Sequence, residues 1–157
     1  MSYFIHPLAD CQTTSIGENS RVWQFVVILP EARIGAEANI CSHCLIENDV
    51  IIGDRVTLKS GVQLWDGLRI DDDVFIGPNV NFTNTKFPRT KEYPECSPIT
   101  TVGKGTSIGG ATVINPMITM EEQAMVTGAA IVAFSVPRQR IWRRQPGALR
   151  RVCGAKR

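Results

Sequence analysis

Three short polar side chains recur at intervals of eighteen residues: Asn48, Asp66 and Asn84. Amide and carboxylate groups can orient a free amine and accept a proton from it. An amine carries its own lone pair, so it attacks an activated acyl group without a strong base. An enzyme then mainly orients the amine and stabilises the oxyanion. The three residues therefore favour acyl transfer to nitrogen over acyl transfer to oxygen.

Histidine, the usual base for acyl transfer to a hydroxyl, is scarce in this chain. There are only two, His6 and His43. We expect each at the surface or at a corner, although a sugar or small-molecule O-acetyltransferase with His43 as base remains an alternative. The Cys41-Ser-His-Cys44 stretch resembles half a zinc site, but a second cysteine pair is missing and five cysteines make a poor disulfide framework. We therefore predict no metal.

The elements that carry these residues follow a six-residue repeat. Eleven hexads run from Ile16 to Asn81, each beginning with Ile, Val or Leu, and six more run from Val102 to Pro137. The fifth position is mostly small or β-branched, and Gly, Asn and Asp are frequent between. Period six fits neither a helix nor a plain alternating strand.

A short strand, a corner and another short strand explain this period. Three such strands close one triangular coil, so that residues eighteen apart stack at strand spacing, and the first and fifth positions point inward. The sequence predicts an all-β fold, a parallel β-helix of hexapeptide repeats, and resemblance to known hexapeptide proteins makes it left-handed. In it Cys44 is a core residue.

One long loop interrupts the repeat. We predict a β-helix domain over residues 1–137, with an inserted loop at 83–101 and a basic tail at 138–157. Long loops in compact domains are usually functional or disordered. This loop contains Lys86, Arg89 and Tyr93, a mixture suited to covering a ligand. The loop leaves the predicted β-helix beside a second column of residues eighteen positions apart, which comprises Glu47, Trp65 and Thr83.

Charge is unevenly distributed along the chain. The net charge is +2, but residues 1–137 carry 15 acidic and 9 basic side chains, whereas residues 138–157 carry eight basic ones and no acid. Such a tail attracts anions or is simply solvated. No RNA-binding aromatic motif accompanies it, so we predict no nucleic-acid partner. Without a long apolar run or a signal sequence, we expect a cytoplasmic protein with no membrane insertion.

Three stretches resemble the N-acetyltransferases that act on nucleotide-linked 3-amino sugars: ICSHCLIENDVIIGD (40–54), GVQLWDG (61–67) and DDVFIGPNVNFTNTKFPRTKEYP (72–94). The resemblance implies a homotrimer, with acetyl-CoA in a groove between subunits and a dTDP- or UDP-linked amino sugar near the loop. Such proteins feed polysaccharide or O-antigen synthesis. Asn84 matches the family's asparagine that orients the sugar amine, so Asn84 and Asp66 are the catalytic candidates.

The remaining site candidates come from the stacked columns, from the loop and from the same resemblance. The substrate-binding candidates are Trp65, Asn48, Glu47, His43, Lys86, Arg89 and Tyr93. The candidates for binding acetyl-CoA are Gly110, Ala111, Gly128, Ala129, Arg143 and Arg144, with the basic tail pairing with its phosphates.

The chain also departs from the family pattern. Thr85 stands where the family has Asp, the late coils read MEEQAMVTGAAIV, and the GNPA of the family is Arg144-Gln145-Pro146-Gly147 here. These changes fall near the predicted cofactor and the predicted amine site. A non-catalytic trimeric scaffold or sugar-binding protein therefore remains a second alternative.

Overall fold

A computed structural model of the protein describes residues 2–92 and 97–143 and the backbone of 150–151. These residues form a parallel β-solenoid of about eight turns, consistent with a left-handed β-helix, and no helix occurs among them. The predicted fold class is confirmed. Within the described ranges, therefore, no helix is long and apolar enough to cross a membrane.

The short strands of successive turns, or coils, stack into three sheets, and a complete turn contributes one strand to each. The nine strands of sheet A are β1 (Phe4–Ile5), β3 (Arg21–Val22), β6 (Asn39–Ile40), β9 (Thr57–Leu58), β12 (Phe75–Ile76), β15 (Ser107–Ile108), β18 (Met125–Val126), β20 (Arg140–Trp142) and β21 (Arg150–Arg151). All pair in parallel except β21, which is antiparallel to β20.

The other two sheets complete the triangular cross-section. The seven strands of sheet B are β2 (Asp10–Cys11), β4 (Val27–Ile28), β7 (Leu45–Ile46), β10 (Gln63–Leu64), β13 (Asn81–Phe82), β16 (Val113–Ile114) and β19 (Ile131–Val132). The five strands of sheet C are β5 (Arg33–Ile34), β8 (Val50–Ile52), β11 (Leu68–Ile70), β14 (Thr100–Val102) and β17 (Thr119–Met120).

The strand register confirms the predicted stacking of residues eighteen apart. Val50 pairs with Leu68, eighteen positions later. Leu68 in turn pairs with Thr100, which is 32 positions later. The loop between β13 and β14 therefore adds 14 residues to one corner and leaves the pairing on both sides in step.

The core consists of the first and fifth positions of the hexads, as predicted. Ile40, Cys44 and Ile46 are 0–2% exposed and typify the two positions. Where the fifth residue carries a hydroxyl, that group donates to a carbonyl of the next coil, as Ser20 does to Gly35 at 2.8 Å. This matters because a buried hydroxyl without a partner is costly. A hydrophobic column with satisfied hydroxyls therefore runs the length of the solenoid.

The corners turn at the fourth hexad position, where the backbone enters the left-handed region. Thirteen residues other than glycine have positive φ among the described residues, most of them at this position. Three corners result. Corner AB, between sheets A and B, carries Phe25 and His43 at this position; corner BC follows sheet B and contains Asn84; corner CA follows sheet C.

Corner CA carries a cluster of paired charged residues. The Asp54 carboxylate accepts from the Ala36 amide at 2.8 Å, and the Asp72 carboxylate accepts from the Asp54 amide at 2.9 Å. Arg55 pairs with Asp73 at 2.6 Å, and this hydrogen bond lowers the pKa of the Asp73 carboxyl. By contrast, the outward residues of sheet B carry no charge from β4 to β19; they are Val27, Leu45, Gln63, Asn81, Val113 and Ile131. The outer face of sheet A is likewise free of charge from β6 to β18.

The predicted domain boundary at residue 137 remains a prediction. Strand β20 continues sheet A beyond it, and Val126 pairs with Trp142 there. Most of the basic tail, at 144–149 and 152–157, lies outside the described residues.

Candidate functional site

The predicted column of Asn48, Asp66 and Asn84 lies along corner BC, where strands β7, β10 and β13 end in pairing order. The Asn48 side-chain oxygen accepts from the Glu31 amide at 3.1 Å. The Asp66 carboxylate accepts from the Asp49 amide at 2.7 Å. These two side chains therefore brace the corner. The half-buried Asn84 side chain makes no hydrogen bond with the described residues.

The second column, beside the first, is also partly structural. The Glu47 carboxylate accepts from the Asp66 amide at 2.8 Å. Trp65 is partly buried and packs against the core. The Thr83 hydroxyl donates to the Ile114 carbonyl at 3.1 Å. Glu47 and Trp65 remain candidate substrate-binding residues, but each has a clear role in packing or in bracing the corner.

Gly67 ties this corner to the returning end of the loop. Its φ is 90°, and a Cβ on it would lie 2.5 Å from the Pro98 carbonyl oxygen. The Gly67 carbonyl accepts from the Thr100 amide at 3.0 Å, where sheet C resumes. The glycine of the WDG motif is therefore required by the close passage of the loop.

A cleft of about 620 Å³ opens at corner BC and is lined by the two chain neighbours of Asn84, whereas Asn84 and Asp66 are not among its lining residues. One wall is the start of the loop and the other is corner BC of the next two coils. The lining residues are Thr83, Thr85, Lys86, Pro88, Asn115, Pro116, Met117, Ile118, Ala133, Phe134 and Ser135. Met117 and Phe134 are 68% and 72% exposed, which gives the outer wall an apolar surface open to a ligand.

The loop residues differ in their relation to the cleft. Lys86 lines it, and its ammonium group lies 5.8 Å from the centre of the Phe87 ring. Arg89 is exposed, and its guanidinium donates to the neighbouring Pro88 carbonyl at 2.9 Å. Tyr93 lies outside the described residues. Of the three predicted loop contacts, only Lys86 is placed at the cleft.

The residues predicted to bind acetyl-CoA lie on corner AB rather than beside Asn84. Ala111 donates to the Pro78 carbonyl and Ala129 to the Gly110 carbonyl, each at 2.8 Å, which stacks the late coils at this corner. Gly110 and Gly128 precede these two alanines in the chain. Arg143 is exposed just after β20, and Arg144 lies outside the described residues.

Sheet B separates the two predicted halves of the site. Pro116 occupies the same corner position as Asn84, one coil later. Ala111 on corner AB and Pro116 on corner BC are five residues apart, which is roughly 15 Å of extended backbone. One chain therefore cannot bring both residue sets to the same acyl group. Corner BC of one copy facing corner AB of another would unite them.

His43 occupies corner AB with φ 63°, and its ring lies 5.1 Å from that of Phe25. Neither imidazole nitrogen hydrogen-bonds to any residue that the structure describes. A general base is usually held by a partner that fixes its tautomer. Among the described residues no such partner is found, and His43 is separated from Asn84 by sheet B.

The cysteine pair does not form a metal centre. Cys44 points into the core, and its thiol donates to the Lys59 carbonyl at 3.3 Å. Burial raises the pKa of the Cys44 thiol to about 11, so that it stays protonated at neutral pH. Over the described ranges, no group of three His, Cys, Asp or Glu side chains is placed to hold a metal ion.

Comparison with known proteins agrees with this geometry. A family model described as bacterial transferase hexapeptide (six repeats) matches residues 13–48. Over 134 residues the chain is 49% identical to the dTDP-3-amino-3,6-dideoxy-alpha-D-galactopyranose 3-N-acetyltransferase of Aneurinibacillus thermoaerophilus, covering 85% of this chain and 70% of that protein. The chain therefore belongs to the hexapeptide-repeat transferases, in the family of the nucleotide-linked amino sugar N-acetyltransferases.

Two solved structures share the fold. One is a variant of perosamine N-acetyltransferase from Caulobacter crescentus in complex with CoA and GDP-perosamine: its TM-score is 0.61 at 18% identity, and the match covers 93% of this chain and 55% of that one. The other is LpxA from Acinetobacter baumannii, with a TM-score of 0.60 at 14% identity over 92% of this chain and 72% of that one.

The outer wall of the cleft was missed in the sequence. Asn115, Pro116 and Phe134 occupy the same corner positions as Thr83, Asn84 and their successors, one and two coils later. The sequence contains the signal that identifies this wall: when the column of Asn48, Asp66 and Asn84 is continued into the hexads after Val102, its next members are Pro116 and Phe134.

Proposed function

We propose that the chain transfers an acetyl group from acetyl-CoA to the amino group of a nucleotide-linked 3-amino-deoxy sugar, for polysaccharide or O-antigen synthesis. The observation that carries the proposal is Asn84, whose half-buried amide has no protein partner among the described residues and lies between two cleft-lining threonines. The relative from Aneurinibacillus thermoaerophilus, whose name states this activity, supports it.

The chemistry follows from the residues at corner BC. The amine attacks the thioester carbonyl, so that the C–N bond forms, the C–S bond breaks and CoA leaves as the thiolate, which becomes the thiol when the proton lost by the amine is returned to it. The Asn84 amide holds the amine and the thioester oxygen in line, which removes much of the entropic barrier. The Asp66 oxygen not bonded to Asp49 is available to take the amine proton. Neither step uses His43.

A homotrimer completes this site. With three solenoids side by side about a threefold axis, corner BC of one copy faces corner AB of its neighbour. The uncharged outer face of sheet B supports such burial, because charged residues are depleted at interface cores. Gly110, Ala111, Gly128 and Ala129 then border the cofactor groove, and Arg143 with the rest of the tail offers charge for its phosphates. Acetyl-CoA and nucleotide sugars are cytoplasmic metabolites, so we propose a cytoplasmic location.

One experiment tests the proposal directly. The purified protein is incubated with acetyl-CoA and a panel of dTDP- and UDP-linked amino sugars, and products are measured by mass. We expect a single added acetyl group on one 3-amino sugar. Acetylation of only the hydroxyl analogues would instead favour an O-acetyltransferase. No product, together with no acetyl-CoA binding in calorimetry, would favour the non-catalytic scaffold.

A further inference from the structure

Two aromatic side chains stand out on corner AB of the early coils. Phe25 and His43 lie eighteen positions apart, with φ values of 61° and 63°. Their rings are 5.1 Å apart and tilted by 45°. Phe25 is 51% exposed and His43 is also exposed. The pair forms a short aromatic stack on the outside of the solenoid.

Local packing does not account for this stack. The following coils carry Gly61, Asn79 and Ala111 at the same corner position, so bulk is not needed to turn the chain. A bulky residue at positive φ is sterically costly, and an exposed ring buries little surface in return. Positive φ is shared by most residues at this corner position, so what distinguishes Phe25 and His43 is the exposed pair of aromatic rings.

Polar groups suited to the edge of a flat ring lie next to the stack. The hydroxyls of Ser42 and Ser60 are 3.2 Å apart and open to solvent. Gly61, directly below His43, has no side chain to cover its ring. An aromatic face with hydroxyls at its side matches a nucleobase, which stacks on rings and presents donors and acceptors at its edge.

We infer that Phe25 and His43 stack the nucleobase of the nucleotide-linked sugar, an inference that rests on the proposed function. Asn79 lies in the same coil as Asn84, and His43 and Phe25 lie two and three coils before Asn79. At 4.7–4.9 Å per coil these separations are roughly 10 and 14 Å. Two phosphates and a ribose between amino sugar and base span a comparable length.

Threefold symmetry places the stack correctly for this role. Rotation about an axis parallel to the solenoid keeps each coil level with its own copies, so the neighbour's Asn84 faces the level of Asn79. From the level of Asn79, the nucleotide-linked sugar then extends toward the early coils, where Phe25 and His43 lie. Acetyl-CoA extends in the opposite direction, toward the late coils with Gly110 and Gly128. The two ligands meet at the coil that carries the loop.

The test measures binding of the nucleotide without its sugar. Calorimetry with dTDP, UDP, 3′,5′-ADP and acetyl-CoA is performed on the parent protein and on Phe25→Leu, which keeps apolar bulk without the ring. Base–aromatic stacking is worth about 1–3 kcal/mol, so we expect dTDP or UDP binding to weaken at least about fivefold, with acetyl-CoA binding unchanged. Phe75→Leu, on the outer face of sheet A and 40% exposed, is the matched control.

A second pair of variants serves if Phe25→Leu does not fold. His43→Phe retains a ring and should bind the nucleotide, whereas His43→Leu should lose affinity. A parent protein that binds neither dTDP nor UDP would overturn the proposed function together with this inference. A parent that binds one of them equally well after loss of either ring would overturn the inference alone. Weakened binding of 3′,5′-ADP instead would assign the stack to the adenine of CoA and also overturn it.

Discussion

The Asp66 carboxylate accepts a 2.7 Å hydrogen bond from the backbone amide of Asp49, one coil earlier. One oxygen of a predicted catalytic group is thus committed to holding the corner. Asp66→Asn keeps an acceptor for this bond, whereas Asp66→Ala leaves the amide without a partner. We expect Ala to cost about 1–3 kcal/mol in urea unfolding and Asn much less.

The activity of Asp66→Asn then separates the two roles. The substituted amide cannot take the proton of the amine, so the rate of acetyl transfer should fall by at least about tenfold in a thiol-release assay. A folded Asp66→Asn protein with full turnover would leave Asp66 with only its bracing role.

Asn84→Ala should cut acetyl transfer at least about tenfold, because the amide that positions the amine and the thioester is removed. The oligomeric state and the unfolding midpoint should hardly change, since no hydrogen bond to the described residues is lost. Asn48→Ala is the contrasting variant in the same column: it loses the bond to Glu31 and should lower stability more than turnover. Unchanged turnover of Asn84→Ala would remove that residue from the mechanism.

His43→Ala distinguishes transfer to nitrogen from transfer to oxygen. If His43 contributes only to binding, Michaelis kinetics should show a raised KM for the nucleotide sugar and a kcat that falls less than about tenfold, because binding groups act on KM. Near-total loss of kcat with saturating substrate would instead make His43 the base of an O-acetyltransferase.

Gly67→Ala should destabilise the junction between corner BC and the loop. The added methyl would lie 2.5 Å from the Pro98 carbonyl, and the φ of 90° is strained for alanine. We expect a loss of about 1–3 kcal/mol in urea unfolding. Gly105→Ala is a suitable control, since it also has positive φ but its Cβ would meet only the Gln123 side chain, at 3.4 Å. Equal losses in both would assign the effect to φ rather than to the loop.

Alkaline stability should depend on Cys44. Burial raises the pKa of its thiol from 9.0 to about 11. Between these values the unfolded chain releases the proton while the native protein retains it, so the free energy of unfolding falls as pH rises through this window. Thermal unfolding followed from pH 8 to 11 should decline less steeply in Cys44→Ala. Parallel curves for the two proteins would show that the thiol does not contribute.

The hexad period was sufficient to predict the sheets, the core and the resumption of the coil after the loop, because the inward positions are occupied mainly by apolar side chains at a fixed spacing. The site was only partly predictable. The column of Asn48, Asp66 and Asn84 follows from spacing, but hydrogen bonds to Glu31 and Asp49 depend on corner geometry that spacing does not reveal. Spacing also does not reveal that sheet B separates Ala111 from Asn84 within one chain.

The 14 residues added between β13 and β14 enter and leave at a single corner. Closing such an insertion costs chain entropy that grows only slowly with length. The coils above and below keep their pairing whatever the loop contains. A loop of another length or sequence can therefore replace this one without any change in the strand pairing of the solenoid, and under the proposed function such a replacement would alter the residues offered to the sugar.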